Sequence, residues 1–232
     1  LKPFKDRDDL HFEQSHVTEK HLYLRLTVPS LAKDINPEVG DVMHYGIQVK
    51  NSEVGVGMVE VAPFIKRLVC LNGMTATDYA KNKRHLGAKL LEGEDRSILT
   101  SETIKQGNKY WIMTVQDTVD QYFNGTTFED ITNSFINAKD TELVKHPKKA
   151  IEYLQSAQKF NGHSFGFSES EGDSILENLL TDGDKSQFGM ANAITRTATT
   201  IEDTDRSMKF EEEGWKMLTL PKNVWNGLAM VA

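Results

Sequence analysis

The stretch that most constrains this chain is GDVMHYGIQVKNSEVGVGMVEVAPFIKRLVCLNGMT, residues 40–75. From Val42 to Lys50, the residues Met43, Tyr45, Ile47 and Val49 alternate with His44, Gly46, Gln48 and Lys50. A period of two predicts a strand with one apolar and one wetter face. Asn51 and Ser52 are turn formers, and beyond them Val54, Val56 and Met58 alternate with Gly55, Gly57 and Val59. The two runs therefore predict an antiparallel hairpin. Two glycines on one face let another segment of the protein, a ligand or a nucleic-acid strand lie close against it. Pro63, then Phe64, Ile65, Leu68 and Val69 at helical spacing, closed by Asn72 and Gly73, read as a short helix. A buried strand turning at Asn72 is the competing reading, because so short a run does not settle the period. On the helix reading, Lys66, Arg67 and Cys70 share the face opposite the apolar residues and make a small basic surface beside the sheet.

On either side of this stretch the pattern changes. Residues 1–21 are polar and read as irregular, whereas Leu22, Leu24 and Leu26 alternate with Tyr23, Arg25 and Thr27 in a strand running to about Val28. Residues 30–40, with Asp34, Asn36, Pro37 and Gly40, read as a connection. After Gly73, residues 75–93 have weak helical periodicity and a dense set of cations. From Thr100, the positions Ile104, Trp111, Val115, Val119 and Tyr122 predict a long amphipathic helix ending near Asn124 and Gly125. Thr127 with Asp130 starts another, through Ile131, Phe135 and Ile136. Pro147 starts a third, with Ile151, Leu154 and Ala157 inward and its end at Asn161 and Gly162.

Residues 162–173 read as a loop, and Ser174 with Glu177 as a capping box for the helix that follows. Phe188, Ala191, Ile194, Ala198, Ile201, Asp205 and Met208 form one stripe on a helix from Gln187 to Glu213, ended by Gly214. These elements predict an α+β fold: a small antiparallel sheet with a central hairpin in the N-terminal half, packed with long helices from the C-terminal half. The polar segment 1–21 is followed by a single domain, 22–228, in which a sheet-rich lobe (22–99) precedes a helical lobe (100–228).

At 232 residues the chain is long enough to bury a substantial core. Leu1 stands where a complete chain would begin with methionine, so the sequence reads as part of a longer polypeptide. No apolar run approaches the roughly 18 residues that span a bilayer, so no membrane partner is expected. The single cysteine, Cys70, forms no internal disulfide and reads as a core thiol. A net charge of −7 argues against a uniformly basic surface that would coat duplex DNA. Charge is nevertheless segregated, with cations gathered at Lys66 and Arg67, at Lys81 to His85 with Lys89, and at Lys145 to Lys149.

Catalytic patterns are absent from the sequence. No phosphate-binding loop, dinucleotide fingerprint or His-Glu-x-x-His helix occurs. His11, Glu13 and His16 come nearest to a ligand cluster, and a polar terminus explains them more simply. Glu202, Asp203 and Asp205 do not converge at their helical spacing, and Ser164 beside His163 lacks a nucleophile elbow. The chain is therefore expected to be non-enzymatic, without metal or cofactor.

With NSEVG at 51–55, RLVCLNGM at 67–74, NAITRTA at 192–198 and EEEGWKML at 211–218, the chain resembles a phage/plasmid-like protein family of unknown function over roughly residues 12–228. That resemblance implies an accessory protein of a mobile element, acting in the host cytoplasm in replication, recombination or host takeover. A hairpin sheet followed by a long helix is also similar in architecture to the Rad52-like single-strand annealing proteins. This similarity implies an oligomer whose basic groove holds one strand by its phosphates and leaves the bases available.

The function expected is thus that of a phage-encoded, non-enzymatic nucleic-acid-binding protein, acting as a homo-oligomer in single-stranded DNA binding or annealing. Lys66, Arg67, Lys81, Lys83, Arg84 and Lys89 would contact phosphate, and Tyr79 and Tyr110 would stack on bases. The alternative is a protein-interaction or structural component of the phage particle, or of a host-takeover complex, with a host or phage protein as partner. The acidic balance and the C-terminal tryptophans Trp215 and Trp225 favour that alternative.

Overall fold

The computed structural model describes residues 9–34, 42–52, 58–68, 72–84, 100–157, 160–162 and 164–231. Over these residues the fold is α+β, with a six-stranded antiparallel sheet in the N-terminal half and seven helices in the C-terminal half. The strands are β1 (His11–Val17), β2 (Leu22–Asp34), β3 (Val42–Asn51), β4 (Met58–Arg67), β5 (Gly73–Thr75) and β6 (Lys81–Arg84). Their order is β1-β2-β3-β4-β5, with β6 also paired to β4.

β1 corrects the irregular reading of the N-terminal segment. His11–Val17 pairs antiparallel with Leu22–Thr27, across a turn in which Thr18 Oγ1 accepts from the backbone N–H groups of Lys20 and His21. No residue of β1 is buried, so the strand is made by backbone pairing and leaves no apolar alternation to read. β2 runs on to Asp34, into residues expected to be a connection.

β3 lies where alternation placed it, but its wetter face is not wet. Gly46 and Gln48 are buried; Gln48 accepts from the Nε of buried Arg25 at 2.7 Å, and that guanidinium lies 4.3 Å from the centre of the Phe64 ring. Gly46 is glycine because β2 passes against it: a Cβ there would meet the Leu26 carbonyl oxygen at 2.0 Å. The close approach expected of Gly55 and Gly57 lies outside the described residues.

β4 overturns the short helix at Pro63. Val61, Ala62, Pro63, Phe64 and Ile65 are buried without interruption, the pattern of a strand covered on both faces. Pro63 has no N–H to give, but its carbonyl accepts from Ala76 N at 3.0 Å. Lys66 and Arg67 are consecutive strand residues and point to opposite faces, so they share no basic helical surface; Cys70 lies outside the described residues. The weak helical periodicity of residues 75–93 does not become an α-helix where the stretch is described, and residues 85–93 lie outside the described residues. Thr77–Tyr79 form a single 3₁₀ turn, and Lys81–Arg84 then pair with Val61–Met58.

The helices are α1 (Ser101–Asn124), α2 (Thr127–Lys139), α3 (Pro147–Ser156), α4 (Glu169–Asp182), α5 (Gln187–Ala198), α6 (Thr204–Leu218) and α7 (Lys222–Val231). α1 starts and stops as its sequence dictates, with Thr100 Oγ1 accepting from Thr103 N and Gly125 at its end. α3 ends at Ser156, short of Asn161. The capping box opening α4 is Ser168 with Glu171, one earlier repeat of the Ser-x-x-Glu pattern than the expected Ser174 with Glu177.

The single helix expected from Gln187 to Glu213 is two. Thr197 and Thr200 turn their hydroxyls onto the carbonyls of Ala193 and Thr197, a local competition that weakens helix continuation. Asp203 then caps α6 by accepting from Arg206 N. Gly214 does not end α6 but sits inside it, where a Cβ would strike Thr195 Cγ2 at 2.2 Å.

The chain divides into two compact units: residues 1–32, 44–65 and 76–129, and residues 33–43, 66–75 and 130–232. In the first, the Phe128 ring packs against Tyr45 and Phe123 at 4.8 and 5.5 Å, and the Tyr122 hydroxyl donates to the Tyr79 carbonyl. In the second, Phe135 contacts Phe188 and Trp215 at 6.1 and 6.5 Å. Gln187 Nε2 lies 2.9–3.0 Å from the carbonyls of Met217, Leu218 and Leu220, closing the C-terminal end of α6.

Candidate nucleic-acid interface

In the first unit, β6 carries Lys81, Lys83 and Arg84, and the N-terminal half of α1 carries Lys105 and Lys109. Strand alternation puts Lys81 and Lys83 on one face of β6. Lys83 Nζ donates to the Gly107 carbonyl at 2.9 Å and lies 5.9 Å from the centre of the Trp111 ring. Its charge therefore ties the strand to the helix, which makes it a positioning residue. Lys81 is exposed.

α1 buries Val115, Val119 and Tyr122. Burial, followed by the charge of Glu60, raises the Tyr122 hydroxyl above its ordinary range, so it is a neutral donor at any physiological pH. The opposite stripe is exposed and holds Lys105, Gln106, Lys109, Tyr110 and Met113, spaced at three and four residues so that neighbours meet one turn apart. It is flanked by exposed Glu102, which accepts from Gln106 Nε2 at 2.8 Å, and by exposed Asp117. Tyr110 is 71% and Met113 52% exposed. Two ammonium groups one turn apart, with an aromatic ring and a thioether beside them, form a surface that can pair with phosphate and stack on bases.

The sequence-predicted residues divide on the structure. Tyr110, Lys81 and Lys83 fall in this α1–β6 layer, as does Arg84 by its backbone, while Lys89 lies outside the described residues. Tyr79 is half-buried, and its carbonyl is engaged by Tyr122. Lys66 and Arg67 fall in the second unit. There the half-buried Arg67 guanidinium lies 5.2 Å from the centre of the buried Phe188 ring, which Lys139 also approaches, at 4.7 Å. Lys105 and Lys109 were not anticipated. Their signal was present as a four-residue repeat ending in Met113, on the face that the apolar stripe leaves out.

Other candidates dissolve into structure. Glu13 lies at a β-bulge in β1 and accepts from Thr27 Oγ1 at 3.5 Å, and Asp203 is the cap of α6. Lys148 stands 3.9 Å from Glu152, both exposed, in a groove of about 500 Å³ that Glu169 and Asp173 also line; its charge is mixed and does not suit a polyanion. Among the described residues no group of three or more His, Cys, Asp or Glu side chains is placed to hold a metal ion, and no helix is long and apolar enough to cross a membrane.

The fold and this surface together define an α+β protein with a lysine- and tyrosine-bearing helix beside β6 of its sheet. Comparison with protein-family models, with curated proteins and with solved structures finds no match.

Proposed function

We propose that the protein binds single-stranded nucleic acid, without covalent chemistry, along the exposed face of α1 beside β6. The observation that carries this reading is the placement of Lys105 and Lys109 around exposed Tyr110 and Met113. Lysine neutralises phosphate and makes affinity fall with salt. Stacking on an aromatic ring is worth about 1–3 kcal/mol per base and needs an unpaired base face, which favours single strands over duplex. The net charge of −7 opposes a polyanion elsewhere on the surface, so binding is weak at high salt and confined to this patch. In this reading the chain is a homo-oligomeric member of the phage/plasmid-like family whose motifs it resembles, and it serves replication or recombination in the host cytoplasm.

Fluorescence anisotropy with a labelled single-stranded oligonucleotide at low salt tests the reading. Lys105→Glu with Lys109→Glu should abolish binding. Tyr110→Ala should weaken single-strand binding by about 1–3 kcal/mol, roughly fivefold to 150-fold, and leave the salt slope unchanged. Wild-type protein that fails to bind at micromolar concentration, or a double variant that binds as well as wild type, defeats it.

A second reading, a protein-interaction component, is favoured by β1. This strand pairs only with β2 among the described residues, and it exposes Phe12 (64%) and Val17 (80%). An open edge with apolar side chains accepts an added strand from a partner. Capture of a phage or host protein that is lost on Phe12→Lys would favour this reading.

A further inference from the structure

Glu213 on α6 has no exposed surface, and neither of its carboxylate oxygens has a hydrogen-bond partner. A carboxylate in that position cannot stay both charged and unsolvated: it holds its proton, or its surroundings rearrange. Lys209 Nζ is 3.8 Å from Oε1, beyond hydrogen-bond reach, on a half-exposed side chain. Arg206, two turns before Glu213 on the same face, is committed elsewhere. Its Nε and Nη2 donate to Glu171 Oε1 and Oε2 at 2.8 and 2.7 Å, and Nη2 donates to the Gly166 carbonyl at 3.0 Å. Its guanidinium also lies 4.6 Å from the centre of the Phe210 ring.

The other elements packed on α6 add little charge. Glu171 on α4 and Lys216 on α6 act at a distance. The one titratable group of α5, Arg196, is bound to Asp182, and β5 has none. Burial therefore dominates over the pull of Arg206, Lys209 and Lys216, and pushes the Glu213 carboxyl up to about 7.

We propose that Glu213 is a protonation switch that sets how firmly α6 holds the N-terminal end of α4. Neutral, the carboxyl stays buried and Arg206 remains on Glu171 and Gly166. Ionised, it draws a cation and water inward and competes with Glu171 for Arg206. Arg206 links α6 to both Glu171 and the Gly166 carbonyl, so loosening this one guanidinium releases the segment that carries the α4 capping box. The change involves proton transfer to solvent and no other chemistry, and it is independent of the nucleic-acid reading.

Amide hydrogen exchange on the full chain at about pH 6 and about pH 8, corrected for intrinsic rates, tests the switch. Protection over residues 166–172 should fall at least about threefold at the higher pH in the wild type, and should hold constant in Glu213→Gln. Constant protection in the wild type, or the same fall in the variant, overturns the proposal. Should the variant fail to fold, carbon NMR of carboxyl-labelled wild-type protein decides. A glutamate titrating near neutrality supports the switch, and a set that titrates entirely below about pH 5.5 overturns it.

Discussion

At the scale of single residues, the sharpest constraints are set by groups distant in sequence. Gly46 is fixed by the Leu26 carbonyl oxygen and the Thr27 Cα, which a Cβ would meet at 2.0 and 2.8 Å. Both are backbone, so a methyl group must part β2 from β3. Gly46→Ala should cost at least the 1–3 kcal/mol or so of ordinary overpacking, seen as a lower urea midpoint at unchanged m; an unchanged midpoint would contradict the packing described. Glu171 supplies a second prediction. Its hydrogen bonds with Arg206 come first, and with help from Ser168 they hold its carboxyl down at about 2 against an ordinary 4.5, although burial pulls the other way. A depressed folded value means stability that is present above about pH 4.5 and lost as pH falls toward about 2. Acid titration of thermal stability should therefore be flatter in Glu171→Gln than in wild type across that window. The glycine and the glutamate were both visible in the sequence. Leu26 and Arg206, the partners that give them meaning, are not implied by any local pattern.

Among the elements, those with a face to bury announced themselves and those without did not. β3 and α1 show clean periods because each turns apolar side chains inward, and Thr100 and Gly125 mark the ends of α1 by local chemistry alone. β1 buries nothing, and the buried run of β4 carries no period, so one was missed and the other was drawn toward a helix by Pro63. The division between α5 and α6 is decided by hydroxyls that bond carbonyls and by the Asp203 cap, against an apolar stripe that passes through it unbroken. Asp203→Ala should cost about 1 kcal/mol, read as a drop in thermal midpoint with the helical circular dichroism at low temperature nearly unchanged. No drop would mean that the junction is held by tertiary contacts instead. On the exposed side of α1, the lysines of the proposed interface repeat as regularly as the core positions do, but polar spacing on a helix carries no burial signal of its own.

For the whole molecule, the succession of alternating runs and then helical stripes was enough to read the fold class. The two units were not legible, because neither is a continuous length of sequence: each is gathered from three separate stretches. The fragment 1–129 holds every residue of the first unit, yet it also carries 33–43 and 66–75, which belong with residues beyond its end. Fragments 1–129 and 130–232, expressed separately, should each lack the cooperative thermal transition of the full chain by circular dichroism. A fragment melting sharply at the wild-type midpoint would show that the units are more self-sufficient than this.

Threading of this kind also bears on inheritance. A crossover between diverged relatives at any point from residue 44 to residue 129 would join parts of both units from different parents, placing mismatched neighbours in two cores at once. Genes of this sort should accordingly be exchanged whole, and mosaic alleles with breakpoints inside the sheet-coding region should be rare.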